Sequence, residues 1–195
     1  MNECKLSENN WTRVAVFAGG DRGHYRTDFD CFVGVDRGSL WVLEEDLPLA
    51  LAVGDFDSVT ADERQLIQKR AQHFVQAQPE KDDTDLELAL LTIFEQNSQA
   101  QVTIFGALGG RIDHMLANVF LPSNPKLAPY MRQIAIEDGQ NVIIYCPEGT
   151  SQLEPRSDYD YLAFIPVRDS QLTIIGAKYE LTEENFFFKK VYASN

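Results

Sequence analysis

From Thr12 to Leu121, short apolar runs alternate with stretches of helical periodicity, and no other feature constrains the fold as strongly. Arg13–Ala18, Cys31–Val35, Leu49–Val53, His73–Ala77 and Val102–Phe105 each suit a buried strand. Between them, Ser39–Glu45, Ala61–Gln72, Asp85–Gln96 and Asp113–Leu121 suit helices. A strand covered on both faces reads as a continuous apolar run, and parallel neighbours need a crossover between them. The pattern therefore predicts an α/β fold with a mostly parallel, Rossmann-like sheet. Local signals agree. Thr60 and Glu63 have capping-box spacing at the start of the second helix. In the third, Leu86, Ala89, Leu90, Ile93 and Phe94 form one apolar stripe.

Leu121-Pro122-Ser123-Asn124-Pro125 breaks this rhythm, and Pro129 follows. Such punctuation marks a boundary, expected between residues 1–125 and 126–195. Beyond it the helical signal disappears. Gln133–Ile136, Val142–Tyr145, Tyr161–Pro166, Gln171–Ile175, Ala177–Leu181 and Phe186–Tyr192 are short and strand-like, separated by turn residues. They predict a small all-β sandwich or barrel domain after the α/β domain.

Composition narrows the function classes. At 44% hydrophobic residues, the 195-residue chain has enough apolar side chains for real cores. Seventeen basic residues against thirty acidic ones give a net charge of −13, which disfavours a nucleic-acid surface. Met1–Asn10 is polar and no apolar run reaches the length of a membrane span, so neither a signal peptide nor a membrane helix is expected. Cys4, Cys31 and Cys146 are far apart and fit reduced thiols in a cytoplasmic protein.

In open parallel sheets ligands bind beyond the carboxyl ends of the strands. The apolar run Leu49–Val53 leads straight into Gly54-Asp55-Phe56-Asp57-Ser58. If the extended conformation persists, Asp55 and Asp57 point the same way and repel unless a cation lies between them. Solvated acids at a strand end are the alternative. Lys81-Asp82-Asp83-Thr84-Asp85 opens the striped helix. One acid there suffices for a cap, so three exceed the structural demand. Four or five carboxylates at one sheet edge call for divalent cations, and Mg²⁺ prefers such hard oxygen ligands. The candidate cation-holding residues on this reading are Asp55 and Asp57 together with Asp82, Asp83 and Asp85.

Phe105-Gly106-Ala107-Leu108-Gly109-Gly110-Arg111-Ile112-Asp113-His114 follows another apolar strand. Backbone amides at a helix start and Arg111 suit phosphate oxygens, with an ordinary strand-to-helix turn as the alternative. Asp36-Arg37-Gly38 offers Arg37 to a phosphate and Asp36 to a ribose hydroxyl or base, or simply a surface ion pair. No Walker A pattern, Gly-x-Gly-x-x-Gly after the first strand, or Gly-x-Ser-x-Gly elbow is present.

In this order, Asp36-Arg37-Gly38, Ala52–Ser58, Glu80–Asp85 and the Phe105–His114 segment resemble the bacterial thiamine pyrophosphokinase family. The likeness runs on through Gly176–Leu181 to Ser194-Asn195, where family members usually continue for some residues. The resemblance implies an α/β domain that binds ATP and Mg²⁺, followed by a β-rich domain that binds thiamine. The reaction implied is ATP plus thiamine giving AMP plus thiamine diphosphate. Also implied is a homodimer with thiamine at the subunit interface. The Mg²⁺-associated acids fall on Asp55, Asp57, Asp82 and Asp85, with Asp83 a bystander. Nucleotide contacts fall on Arg37, Lys81, Arg111 and Asp113, to which Asp36, Thr84, Gly109, Gly110 and His114 are added as neighbours. Ser194 and Asn195 are the candidate thiamine contacts. Two alternatives remain at this stage: a haloacid-dehalogenase-like phosphatase with Asp55 as nucleophile, and a non-catalytic nucleotide or thiamine sensor.

Overall fold

The computed structural model describes residues 10–78, 82–167, 171–182, 186 and 190–193. The chain runs β1 (Arg13–Phe17), β2 (Cys31–Val35), α1 (Gly38–Glu44), β3 (Leu49–Gly54), α2 (Ala61–Arg70) and β4 (His73–Gln76). It continues through α3 (Asp85–Gln96), β5 (Gln101–Phe105), α4 (Ile112–Val119), β6 (Ile134–Glu137) and β7 (Val142–Ile144). The strands form one sheet in the order β4-β3-β2-β1-β5-β6-β7, parallel except for the antiparallel β6–β7 pair.

Side-chain alternation along the strands builds two cores, one on each face of the sheet. Val14, Val16, Val33 and Ile104 face the side on which α3 lays Leu86, Ala89, Leu90, Ile93 and Phe94. Ala15, Phe17, Phe32 and Phe105 face the other side, against Leu40, Trp41 and Val42 of α1 and Ile67 of α2. Both capping boxes that open the longer helices are closed: Thr60 with Glu63, and Thr84 with Glu87.

The chain steps from β1 outward to β4, then returns through α3 to add β5 and β6 on the other side of β1. Between β1 and β5 lies the topological switch point, where open α/β sheets present their ligand crevice.

Two strands expected in the β-rich half extend the large sheet instead. Val102, Thr103 and Ile104 pair in parallel with Ile134, Ala135 and Ile136, and the chain divides into compact units after Ser151 rather than near residue 125. The prolines mislead for a physical reason. Pro122 and Pro129 lie in the first positions of 3₁₀ turns at Leu121–Ser123 and Ala128–Gln133, and Leu121, which opens the first turn, and Leu127, just before the second, are buried in the sheet core. This segment is a packed connection and not a linker.

The second unit, from Gln152, gathers Ile174, Leu181 and Tyr192 with Phe164, Leu172, Ala177 and Phe186. Antiparallel bridges join Phe164 to Tyr192 and Ile174 to Leu181. Among the described residues no helix is long and apolar enough to cross a membrane, and Cys31 and Cys146 are free thiols.

Candidate active site

The carboxyl ends of β2 and β3 lie side by side, because Val35 pairs with Val53. Asp36 therefore emerges next to Gly54-Asp55, and α3 brings its first residue, Asp85, to the same place. One carboxylate oxygen each from Asp36, Asp55 and Asp85 lies within 4.8 Å of the others, and all three residues are half-buried. Burial first, then the charges of Asp85, Asp55 and Asp57, raises the Asp36 carboxyl from 3.8 to about 6. The Phe56 backbone N–H, donating to Asp36 Oδ1 at 3.0 Å, opposes that rise.

Backbone conformation explains which acids meet. Phe56 has φ 60°, a left-handed conformation uncommon for a bulky residue, held by burial and by stacking on Phe74 at 4.7 Å. The extended run ends there, so the expected alternation of Asp55 and Asp57 does not hold. Asp55 turns into the cluster and accepts the Asp57 backbone N–H at 3.0 Å, while Asp57 is exposed. Gly54 is needed for clearance, since a Cβ there would overlap Asp36 Oδ1.

The second acidic run divides similarly. Thr84, and none of the aspartates, caps α3: its hydroxyl accepts the Glu87 N–H at 3.2 Å, and Glu87 Oε2 accepts the Thr84 N–H at 2.7 Å. Asp83 is tied to Asn124 and Lys126, a structural use. Asp82 is exposed. The cluster thus holds two of the four expected metal-holding acids, Asp55 and Asp85, and gains Asp36, which the sequence reading assigns to ribose or base. The missed signal is the position of Asp36 at a strand end adjoining β3.

Across the switch point, Gly106, Gly109 and Gly110 all have positive φ and turn the chain from β5 into α4. Arg111 precedes α4 and forks onto Asp113 at 3.2 and 2.6 Å, with both exposed alongside His114. The pairing holds the Asp113 carboxyl below its usual range. Arg37, at the start of α1, donates to the Ser58 carbonyl at 3.3 Å and so spans the β2 and β3 loops. Lys81, Ser194 and Asn195 lie outside the described residues.

An open, mostly parallel sheet with clustered acids on one side of its switch point and a glycine turn on the other defines an α/β protein with a candidate ligand site at the carboxyl ends of its strands. The thiamin pyrophosphokinase catalytic-domain model matches residues 23–130, and the thiamin pyrophosphokinase vitamin B1 binding-domain model matches residues 150–195. The chain is 36% identical over 176 residues to the thiamine pyrophosphokinase of Bacillus subtilis (strain 168), covering 86% of this chain and 81% of that one. A thiamin pyrophosphokinase family protein from Enterococcus faecalis superposes with a TM-score of 0.85 at 43% identity, covering 94% of this chain and 88% of that one. A protein from Lactobacillus plantarum gives 0.83 at 34% identity with the same coverages.

The chain belongs to the thiamin pyrophosphokinase family. It is accordingly an enzyme of the kinase class, and the phosphatase and sensor alternatives are not favoured. The second family match starts at residue 150, beside the division after Ser151.

Proposed function

We propose that this chain transfers the pyrophosphoryl group of ATP to the primary hydroxyl of thiamine, giving thiamine diphosphate and AMP. The observation that carries this reading is the match of both family domains, in order, on residues 23–130 and 150–195. In the reaction, the hydroxyl oxygen bonds to the β-phosphorus in line with the departing group. The bond from that phosphorus to the α,β-bridging oxygen breaks, and AMP leaves with the electron pair.

Three half-buried carboxylates, one of them raised to about 6, form a hard oxygen donor set that fits a divalent cation, read here as Mg²⁺. Asp36, Asp55 and Asp85 would hold it, with Asp57 and Asp82 as further ligands on the same loops. When bound, Mg²⁺ supplies charge neutralisation at the phosphate oxygens. The chain's own groups do the positioning. Arg111, steadied by Asp113, and Arg37 and Lys81 orient the phosphates, while the Gly109-Gly110 turn lets the backbone approach. Thr84 acts through its cap, and His114 borders the nucleotide. An aspartate, Asp55 or Asp82, accepts the hydroxyl proton. The same reading takes the enzyme as a cytoplasmic homodimer, with Ser194 and Asn195 contacting thiamine at the subunit interface.

Incubation with ATP, Mg²⁺ and thiamine tests the proposal. AMP and thiamine diphosphate should appear in equal amounts. ADP or inorganic phosphate as the main product rejects it.

A further inference from the structure

The connection from β1 to β2, residues 18–30, has no regular secondary structure, yet besides the ion pairs of Arg22 with Glu44 and Glu45 and of Asp30 with Arg13 it is fastened at three further points. At its start, the Ala18 N–H donates to the Phe105 carbonyl at 2.8 Å and the Gly20 N–H to the Gly106 carbonyl at 3.0 Å. Along its middle, Tyr25 meets Phe17 edge-on at 5.5 Å and Phe29 meets Phe105 at 5.8 Å. The third point is ionic. Arg26 forks onto Glu137 at the end of β6, Nε to Oε1 at 3.0 Å and Nη2 to Oε2 at 3.2 Å.

Glu137 is 5% exposed and is the one buried acid among the described residues. A buried carboxylate is costly unless paired, so lifting the connection would leave Glu137 uncompensated. The same guanidinium lies over the Phe29 ring at 5.2 Å. Contact therefore passes from Glu137 through Arg26 and Phe29 to Phe105, the residue immediately before the glycine turn. Gly106 has no slack to absorb a shift. A Cβ there would stand 2.7 Å from Trp41 Cζ3 and 2.9 Å from the Ala18 carbonyl oxygen. Phe105, paired with Phe17 in the sheet, joins the Gly106–Arg111 turn directly, so a displaced Phe105 would carry the start of that turn with it.

We propose that Arg26 and Glu137 are a positioning pair that aims the Gly106–Arg111 turn at the nucleotide; this rests on the functional reading above. The pair acts on nucleotide engagement and leaves the thiamine side untouched.

Full-length Arg26→Met and Glu137→Gln variants are compared with the wild type by initial rates, varying ATP and thiamine in turn, and by thermal melting. At a temperature where each variant is folded, KM for ATP should rise about fivefold or more while KM for thiamine stays within about twofold. Arg26→Lys should recover part of the loss, because it restores the charge without the fork. The Arg26→Met/Glu137→Gln double variant should be no worse than the poorer single one, as expected for two ends of one contact. A lower melting temperature with both KM values unchanged makes the pair merely structural and overturns the proposal. Phe29→Leu keeps both partners of the ion pair and removes the ring that links Arg26 to Phe105, so it decides the matter if a polar variant fails to fold. An unchanged KM for ATP in Phe29→Leu then overturns the proposal. Wild-type protein that forms no AMP overturns the functional reading and this inference with it. Wild-type turnover with indifferent variants overturns the positioning role alone.

Discussion

At Asp36, burial favours the neutral acid while a bound cation would favour the carboxylate. Its folded value, about 6, stands above its unfolded value of 3.8, so in metal-free protein the folded state holds the proton more tightly. The stability this contributes is fully present below about pH 4 and is lost as pH rises through about 6. Melting curves of chelator-treated protein should therefore show this part of the stability disappearing between about pH 4 and 6, and Asp36→Asn should flatten that fall. Unchanged pH dependence in the variant removes Asp36 as its source. Asp55 gives the complementary test. Asp55→Asn should lower turnover by roughly 10³-fold or more with little change in melting, since it removes a charge from the site and no apolar packing. Near-normal turnover refutes its assigned role.

Among the elements, the start of α3 separates scaffold from chemistry. Thr84 and Glu87 close a reciprocal cap, which frees Asp85 to face the cluster. Thr84→Ala should cost about 1 kcal/mol in denaturant unfolding, the usual worth of such a cap. A loss well below that would mean that the hydroxyl is not spent on the helix end. The same element shows what can be read from sequence. The α3 stripe, its boundaries and strands β1 to β5 follow from periodicity, because burial on both sheet faces imposes an apolar code on all of these strands but the edge strand β4. The convergence of Asp55 and Asp85 follows from strand-end logic. The loss of Asp57 from the cluster does not, because it depends on the left-handed Phe56, a β-prone aromatic whose side chain gives no sign of positive φ. Asp36 was visible as a residue but not as a partner, since strand order decides who its neighbours are. Likewise the prolines after α4 signal a break by local rules, while Leu121 and Leu127 bury that segment through tertiary packing.

For the whole molecule, the functional reading carries an assembly expectation. Ile112 and Leu116 of α4 and Phe120 at its C-terminal cap follow at four-residue intervals and are 69%, 44% and 41% exposed. That spacing puts them on one helical face, and none of the α4 residues is buried within the chain. An apolar face of this kind is consistent with the proposed homodimer. Sedimentation equilibrium should return twice the mass of one chain, and a single-chain mass at assay concentrations rejects the dimer.

The rims of the sheet have their own bearing on handling. β4 closes one side with four residues and β7 closes the other with three, β7 running against its neighbour. A foreign strand would find only a few backbone donors and acceptors at either margin, too few to extend the sheet from one molecule into the next. Hydrogen-bonded stacking into fibrils is thereby discouraged at both flanks, so in concentrated solution self-association should proceed through side-chain surfaces, leaving the strand array at seven.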